Sequence, residues 1–388
     1  MRKRIPFDVL FLMIVLVLIV IGITAIYSAG SYLGQAKYGS SQYFLIAHLM
    51  RLTIGLLLMV LFIKIDFRYL LDLSPALLGF AVLLLLYVLF NGAFYNGSRR
   101  AFLVGGISFQ PSEFAKIALI LYLAKYFADN RKNIEDFNQG LMPALVALAV
   151  VVFFIALEPD LGSAVIIFII AMIMIFLAGA SFYHLTALAS ATVVVISIFL
   201  KLYPYQLQRI SSYFSAIRGV GKLPYQITQS LISFGNGGVF GVGLGNSRQK
   251  MHFLPYPYND FIFSIIGEEM GLIGCAIILT LFLLLLWRGM WIATHAPDKA
   301  GQLLAIGIIA SITIYALFNA GIALNLLPVT GITMPFISYG GSSLIMNLVG
   351  VGILLNISMQ NGARRYRSGR KSSYSKKTTK KSRNVRRH

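Results

Sequence analysis

Three short segments of this chain carry ionisable side chains into an otherwise apolar sequence. They are Gln110-Pro-Ser-Glu-Phe-Ala-Lys116, Glu158-Pro-Asp160 and Asn259-Asp260. Glu113 and Lys116 are three residues apart, so on a helix they share one face. They either neutralise each other or face water or substrate, because ionisable groups next to lipid are expensive. Glu158 and Asp160 flank a proline. They either cap a tight turn between two helices or hold a divalent cation. Asp260 stands at the start of an apolar run, at the end of a segment holding Arg209, Arg218, Lys222, Arg248 and Lys250 and no other acid. So much positive charge beside a single acid asks for an explanation, and an anionic ligand is one.

These residues must be positioned by membrane helices. Of the 388 residues, 58% are hydrophobic and 12% charged, whereas soluble domains carry about 25% charged residues. Apolar runs lie near 7–27, 44–64, 73–90, 111–128, 141–157, 161–178, 182–203, 262–287, 302–327 and 334–358. Most approach the roughly 20 residues that a spanning helix needs. The expected fold is therefore an all-α integral membrane protein with about ten spans and a large extracytoplasmic loop, 204–261, between helices seven and eight. Residues 1–360 form one polytopic domain, and 361–388 form a basic, disordered cytoplasmic tail.

The net charge of +20 is concentrated in that tail, where twelve Lys and Arg stand in 359–388 with no acid. Beside a membrane helix this charge argues for a cytoplasmic end touching anionic lipid and against nucleic acid. Arg2, Lys3 and Arg4 place the N-terminus on the same side. The polar segments then gather on the outer face. No ATP is available there, so bond formation needs an activated substrate, and a lipid-linked sugar diphosphate meets that need. Cys275 is the single cysteine, and the five histidines lack metal-ligand spacing. Ser233–Gly245 is glycine-rich but lacks a P-loop ending, and it reads as close-packed or re-entrant backbone.

At these segments the sequence resembles the SEDS family (shape, elongation, division and sporulation) from about Asp8 to Ile357. The motifs are Asn96-Gly-Ser-Arg-Arg100, Gln110–Lys116, Glu158-Pro-Asp-Leu-Gly162, Tyr225-Gln226 with Gln229-Ser230, and Gly243–Lys250. Phe253-Leu-Pro255, Asn259–Phe263, Glu268-Glu-Met-Gly271, Pro328–Gly331 and Pro335–Ser343 follow in order. The resemblance implies a ten-helix peptidoglycan glycosyltransferase. It would polymerise lipid II at the outer face of the cytoplasmic membrane, displacing undecaprenyl pyrophosphate. A class B penicillin-binding protein and other divisome membrane proteins are the implied partners, and the division septum the implied location. The family's essential aspartate falls on Asp260, the expected general base. Its helix-four pair falls on Glu113 and Lys116, and its loop arginine on Arg209. Arg99, Gln229, Ser247, Lys250, Ser338 and Ser342 complete the expected substrate contacts. No motif demands a cofactor, and Mg or Mn stays open. Ala101, Tyr256 and Tyr258-Asn259 depart from the family's Trp, Glu and His-Thr, so roles of those neighbours do not carry over. The run ending at Lys250 favours the division branch over the elongation branch. A lipid II flippase or a recruiting scaffold would be the alternatives from other classes. A flippase should line a path through the bilayer with polar groups, whereas here they crowd one face.

Overall fold

The computed structural model describes residues 7–95, 98–104, 107–202, 204–218, 221, 223–251 and 253–360. The basic tail and the Asn96-Gly97 pair lie outside them.

Helices dominate, as the hydropathy requires. They are α1 (Val9–Tyr38), α2 (Tyr43–Lys64), α3 (Phe67–Asn91), α4 (Pro111–Asp129), α5 (Met142–Leu157), α6 (Leu161–Ala178) and α7 (Phe182–Leu202). Then come α8 (Pro204–Ile217), α9 (Tyr225–Gly237), α10 (Ile262–Thr294), α11 (Lys299–Ala323) and α12 (Gly341–Gln360). A π-turn, Phe137–Leu141, leads into α5. Eight of the described helices are long and apolar enough to cross a membrane; α4 and α7 stand outside that set. α11 and α12 are the buried centre, and α2 and α3 leave most of their surface to lipid.

Four expectations change. The first helix continues to Tyr38, because nothing in Tyr27–Tyr38 breaks a helix until Gly39 turns left-handed at φ 69°. The segment before α4 is not a plain loop. It forms a three-stranded antiparallel sheet of β1 (Ala93–Tyr95), β2 (Ser98–Val104) and β3 (Ile107–Phe109). Its strands are too short for their alternation to stand out beside the helices. Segment 204–261 is likewise no open loop, since it contains α8 and α9. Finally, α11 ends at Ala323 and α12 begins only at Gly341. The apolar residues between them form irregular chain packed inside the protein, with Ile332, Met334, Phe336 and Ile337 buried.

The glycine-rich stretch breaks α10. Gly271 adopts φ 65° and ψ −163° within that helix. The chain after α9 enters the gap. Val242 and Gly243 N–H donate to the Glu268 and Glu269 carbonyls at 3.0 Å each. Leu272 and Ile273 N–H donate to the Gly238 and Val239 carbonyls at 2.9 and 3.2 Å. Backbone groups freed by the break thus find partners in protein, as the membrane interior requires. A Cβ on Gly241 would stand 2.2 Å from the Glu269 carbonyl oxygen, so a side chain there is excluded.

Candidate active site

The polar motifs meet where α4, α6, α10 and α12 begin. Pro111 opens α4 at its first turn, where the missing N–H costs nothing. On that helix Lys116 Nζ donates to Glu113 Oε2 at 2.6 Å and lies 4.2 Å from the Tyr315 ring centre. Both side chains are buried, so the pair is held away from water.

Beside it, four elements are tied by one chain of hydrogen bonds. Gln110 N–H donates to Ser342 Oγ at 2.9 Å, and Ser342 Oγ donates to the Ser108 carbonyl at 2.9 Å. Gln110 Nε2 donates to Asp160 Oδ2 at 3.1 Å. Asp160 also caps α6, accepting from Ser163 N–H and Oγ at 3.2 and 2.9 Å. The capping role weighed for this turn therefore holds for Asp160.

Glu158 differs. It is fully buried, and neither carboxyl oxygen has a hydrogen-bond partner among the described residues. Burial, helped by the charge of Asp160 and opposed by Arg100, pushes its carboxyl up to about 9. It is therefore neutral at pH 7. Among the described residues no group of three or more His, Cys, Asp or Glu comes together in a way that could hold a metal ion.

Asp260 sits one residue before the N-cap of α10. That position is Phe261, which makes no side-chain capping bond. Its backbone is clamped instead. Asn319 Nδ2, fully buried in α11, donates to the Asp260 carbonyl at 2.8 Å and to the Ile332 carbonyl at 2.7 Å. Gly331 lies against the carboxylate: a Cβ there would be 3.6 Å from Asp260 Oδ2 and 3.9 Å from Arg100 Nη1. The sheet thus delivers Arg100 to the side of Asp260.

Lys250 and Ser247 are built into a second buried cluster at the α10 break. Lys250 Nζ donates to Glu269 Oε1 at 3.0 Å, Ser28 Oγ at 2.9 Å and the Gly245 carbonyl at 2.6 Å. Its three protons have internal acceptors, so Lys250 ties the loop to α1 and α10. Ser247 Oγ donates a short hydrogen bond to Glu268, which also accepts from Asn236 Nδ2 and the N–H groups of Arg248 and Gln249. Ser338 Oγ accepts from Met334 N–H at 2.9 Å and fixes the turn before α12. Gln229 is half-buried on α9. The side chains of Arg99 and Arg209 lie outside what is described, although their backbones belong to β2 and α8.

A family model described as cell cycle protein, FtsW/RodA/SpoVE, matches residues 8–363. The chain belongs to the FtsW/RodA/SpoVE family. Stage V sporulation protein E of Bacillus subtilis is 42% identical over 362 residues, covering 92% of this chain and 98% of the relative. The probable peptidoglycan glycosyltransferase FtsW of Geobacter metallireducens is 38% identical, with 91% and 94% covered. Among solved structures, a chain of a peptidoglycan synthase complex superimposes with TM-score 0.75 at 30% identity, over 92% of this chain and 98% of that one. That structure concerns the coordination of polymerization and crosslinking. The rod shape determining protein RodA of Thermus thermophilus follows at TM-score 0.65 and 28% identity, covering 91% and 96%.

Within this FtsW/RodA/SpoVE chain, sequence reasoning missed Asn319 as the clamp on Asp260, Ser28 as a partner of Lys250, and the polar face of α2. Each consists of one or two polar residues inside an apolar helix. That was the available signal, because such residues face protein in a membrane.

Proposed function

We propose that the chain is a peptidoglycan glycosyltransferase polymerising lipid II, with Asp260 as general base. The observation that carries this reading is the setting of Asp260. Its backbone is fixed by Asn319 and its carboxylate shares the Gly331 surface with the Arg100 guanidinium. In the reaction the C4 hydroxyl oxygen of an acceptor GlcNAc attacks the anomeric carbon of a donor MurNAc from the face opposite the leaving group. The bond from that carbon to the phosphate oxygen breaks, undecaprenyl pyrophosphate leaves, and Asp260 takes the hydroxyl proton. Positive side chains stabilise the charge growing on the pyrophosphate. Arg100, Arg99 and Arg209 serve here directly. Lys116 and Lys250, with Glu113, Ser247, Ser338 and Ser342, shape the site from within, and Gln229 lines it from α9.

Counting α4 and α7 with the eight apolar helices gives ten spans, with both termini and the tail in the cytoplasm and Asp260 outside. A class B penicillin-binding protein would crosslink the product, with divisome membrane proteins around the pair at the septum of the cytoplasmic membrane. Identity is higher to the sporulation relative than to the division relative quoted, so a sporulation setting for the same chemistry is the second reading.

The test is purified protein in liposomes with lipid II. Glycan polymer should form without any other enzyme. Asp260→Asn should lower the rate by roughly 10²–10⁴-fold with an unchanged melting temperature. Polymer formation at the normal rate by the folded Asn variant would remove Asp260 from the mechanism.

A further inference from the structure

The inward face of α2 carries two polar side chains that the chemistry above does not use. His48 and Arg51 are three residues apart and therefore neighbours on one helix face. Arg51 lies eight residues into α2 from Tyr43, roughly 12 Å below the helix end at 1.5 Å per residue. Among the described residues no carboxylate pairs with it, and its Nη1 is buried without a hydrogen-bond partner. His48 is 1% exposed, and its Nε2 also lacks a partner. A cation at that depth is costly unless something neutralises it.

The surroundings point to an anion. The Arg51 guanidinium lies over the Tyr339 ring at 4.6 Å, and the His48 ring is 6.4 Å from the same ring. A Cβ on Gly341, the first residue of the 20-residue helix α12, would be 3.0 Å from Arg51 Nε. Arg51 thus stands at the N-terminus of a long helix, whose first N–H groups and dipole favour negative charge. Tyr339 N–H donates to the Tyr258 carbonyl at 2.9 Å, and Tyr258 stacks on Phe44 at 4.3 Å between ring centres. Tyr258 is two residues from Asp260, so this cluster adjoins the proposed reaction centre across one layer of aromatic rings.

We propose that Arg51, His48 and the α12 N-terminus form a subsite for the diphosphate of a polyisoprenyl-linked substrate. The inference rests on the glycosyltransferase reading for which substrate is meant. A guanidinium presents two parallel N–H donors to phosphate oxygens, the helix end adds backbone donors, and the His48 ring can add one more. An anionic group reaches this depth on a lipid anchor more readily than from water. The occupant is therefore the prenyl diphosphate rather than free pyrophosphate or a bulk phospholipid headgroup.

The test is binding of undecaprenyl diphosphate to the full chain in nanodiscs, by native mass spectrometry. Arg51→Gln should weaken binding about tenfold or more, and Arg51→Lys by less, because Lys keeps the charge but not the fork. Pyrophosphate alone should compete weakly, and tenfold excess phosphatidylglycerol should not compete. In unmodified protein, undecaprenyl diphosphate should shield Arg51 from phenylglyoxal, a measurement that needs no variant. Absence of shielding, full affinity in folded Arg51→Gln, or equal displacement by phosphatidylglycerol would each overturn the subsite. Asp260→Asn should retain this binding while losing polymerisation. Binding that depends on Arg51 in a wild-type protein that makes no polymer would instead sink the glycosyltransferase reading and leave the subsite standing.

Discussion

The two ends of the helix bundle are both polar, yet they are built differently. At the end where α1 starts and α12 finishes, the polar groups answer one another. Arg288 Nε donates to Asp8, Arg68 donates to Asp298 and Gln360, and Asn356 bridges the Ile63 carbonyl and the Phe67 N–H. At the Asp260 end, buried atoms of Glu158, Ser112, Thr330, His48 and Arg51 lack hydrogen-bond partners, against Asp8 Oδ2 and Ser74 Oγ towards the other end. Native proteins satisfy nearly all buried polar groups, so these orphans are in keeping with the site proposed at that end.

The largest effect expected from breaking this contrast is at the α10 gap. There the buried Lys250–Glu269 pair behaves like a structural lock although it lies at the functional end. Lys250→Met leaves a buried carboxylate unpaired and should cost ~3–5 kcal/mol in detergent unfolding, together with most polymerisation. Adding Glu269→Gln should recover much of the stability. If the double variant is as unstable as the single one, the pair is not acting as a unit.

Next is Asn319. Asn319→Ala removes the clamp on the Asp260 and Ile332 carbonyls, and a displaced base should lower kcat by about 10- to 100-fold with little change in KM. A KM effect with normal kcat would make Asn319 part of substrate binding instead.

Glu158 should give a smaller effect with a distinctive pH signature. Its carboxyl is raised from 4.5 to about 9 in the folded protein, so between those values the native state holds a proton that the unfolded state has lost. Stability contributed by this group therefore falls as pH rises through that window. Glu158→Gln should keep near-normal activity at pH 7, remove that slope and make the protein relatively more stable from pH 7 to 9. An unaltered slope in thermal unfolding would place Glu158 among the ionised carboxylates.

The mildest perturbation concerns sidedness itself. In a Cys275→Ala background, Ser212→Cys should react with an impermeant thiol reagent on intact cells and Ser372→Cys should not, with activity unchanged in both. The reverse labelling would place the Asp260 end in the cytoplasm, where the argument from activated substrates fails.

Much of this was legible along the chain. Long apolar runs can satisfy their backbone in a bilayer only as helices, so the spans near 44–64, 161–178 and 262–287 follow from composition. The motif order carried the family, and through it the assignment of Asp260; the five basic residues before it pointed only to an anionic ligand. The break at Gly271 was not legible, because a glycine in an apolar run is tolerated in a straight helix as readily as in a broken one. Only the approach of Gly238–Gly243 decides between them. The sheet before α4 escaped because its strands are short, and it alone brings Arg100 to Asp260. Which acceptors hold a buried lysine is likewise not written in its neighbours in sequence. Lys250 belongs to Glu269 and Ser28, 19 and 222 residues away, and that pairing exists only once α1, α10 and the loop have packed.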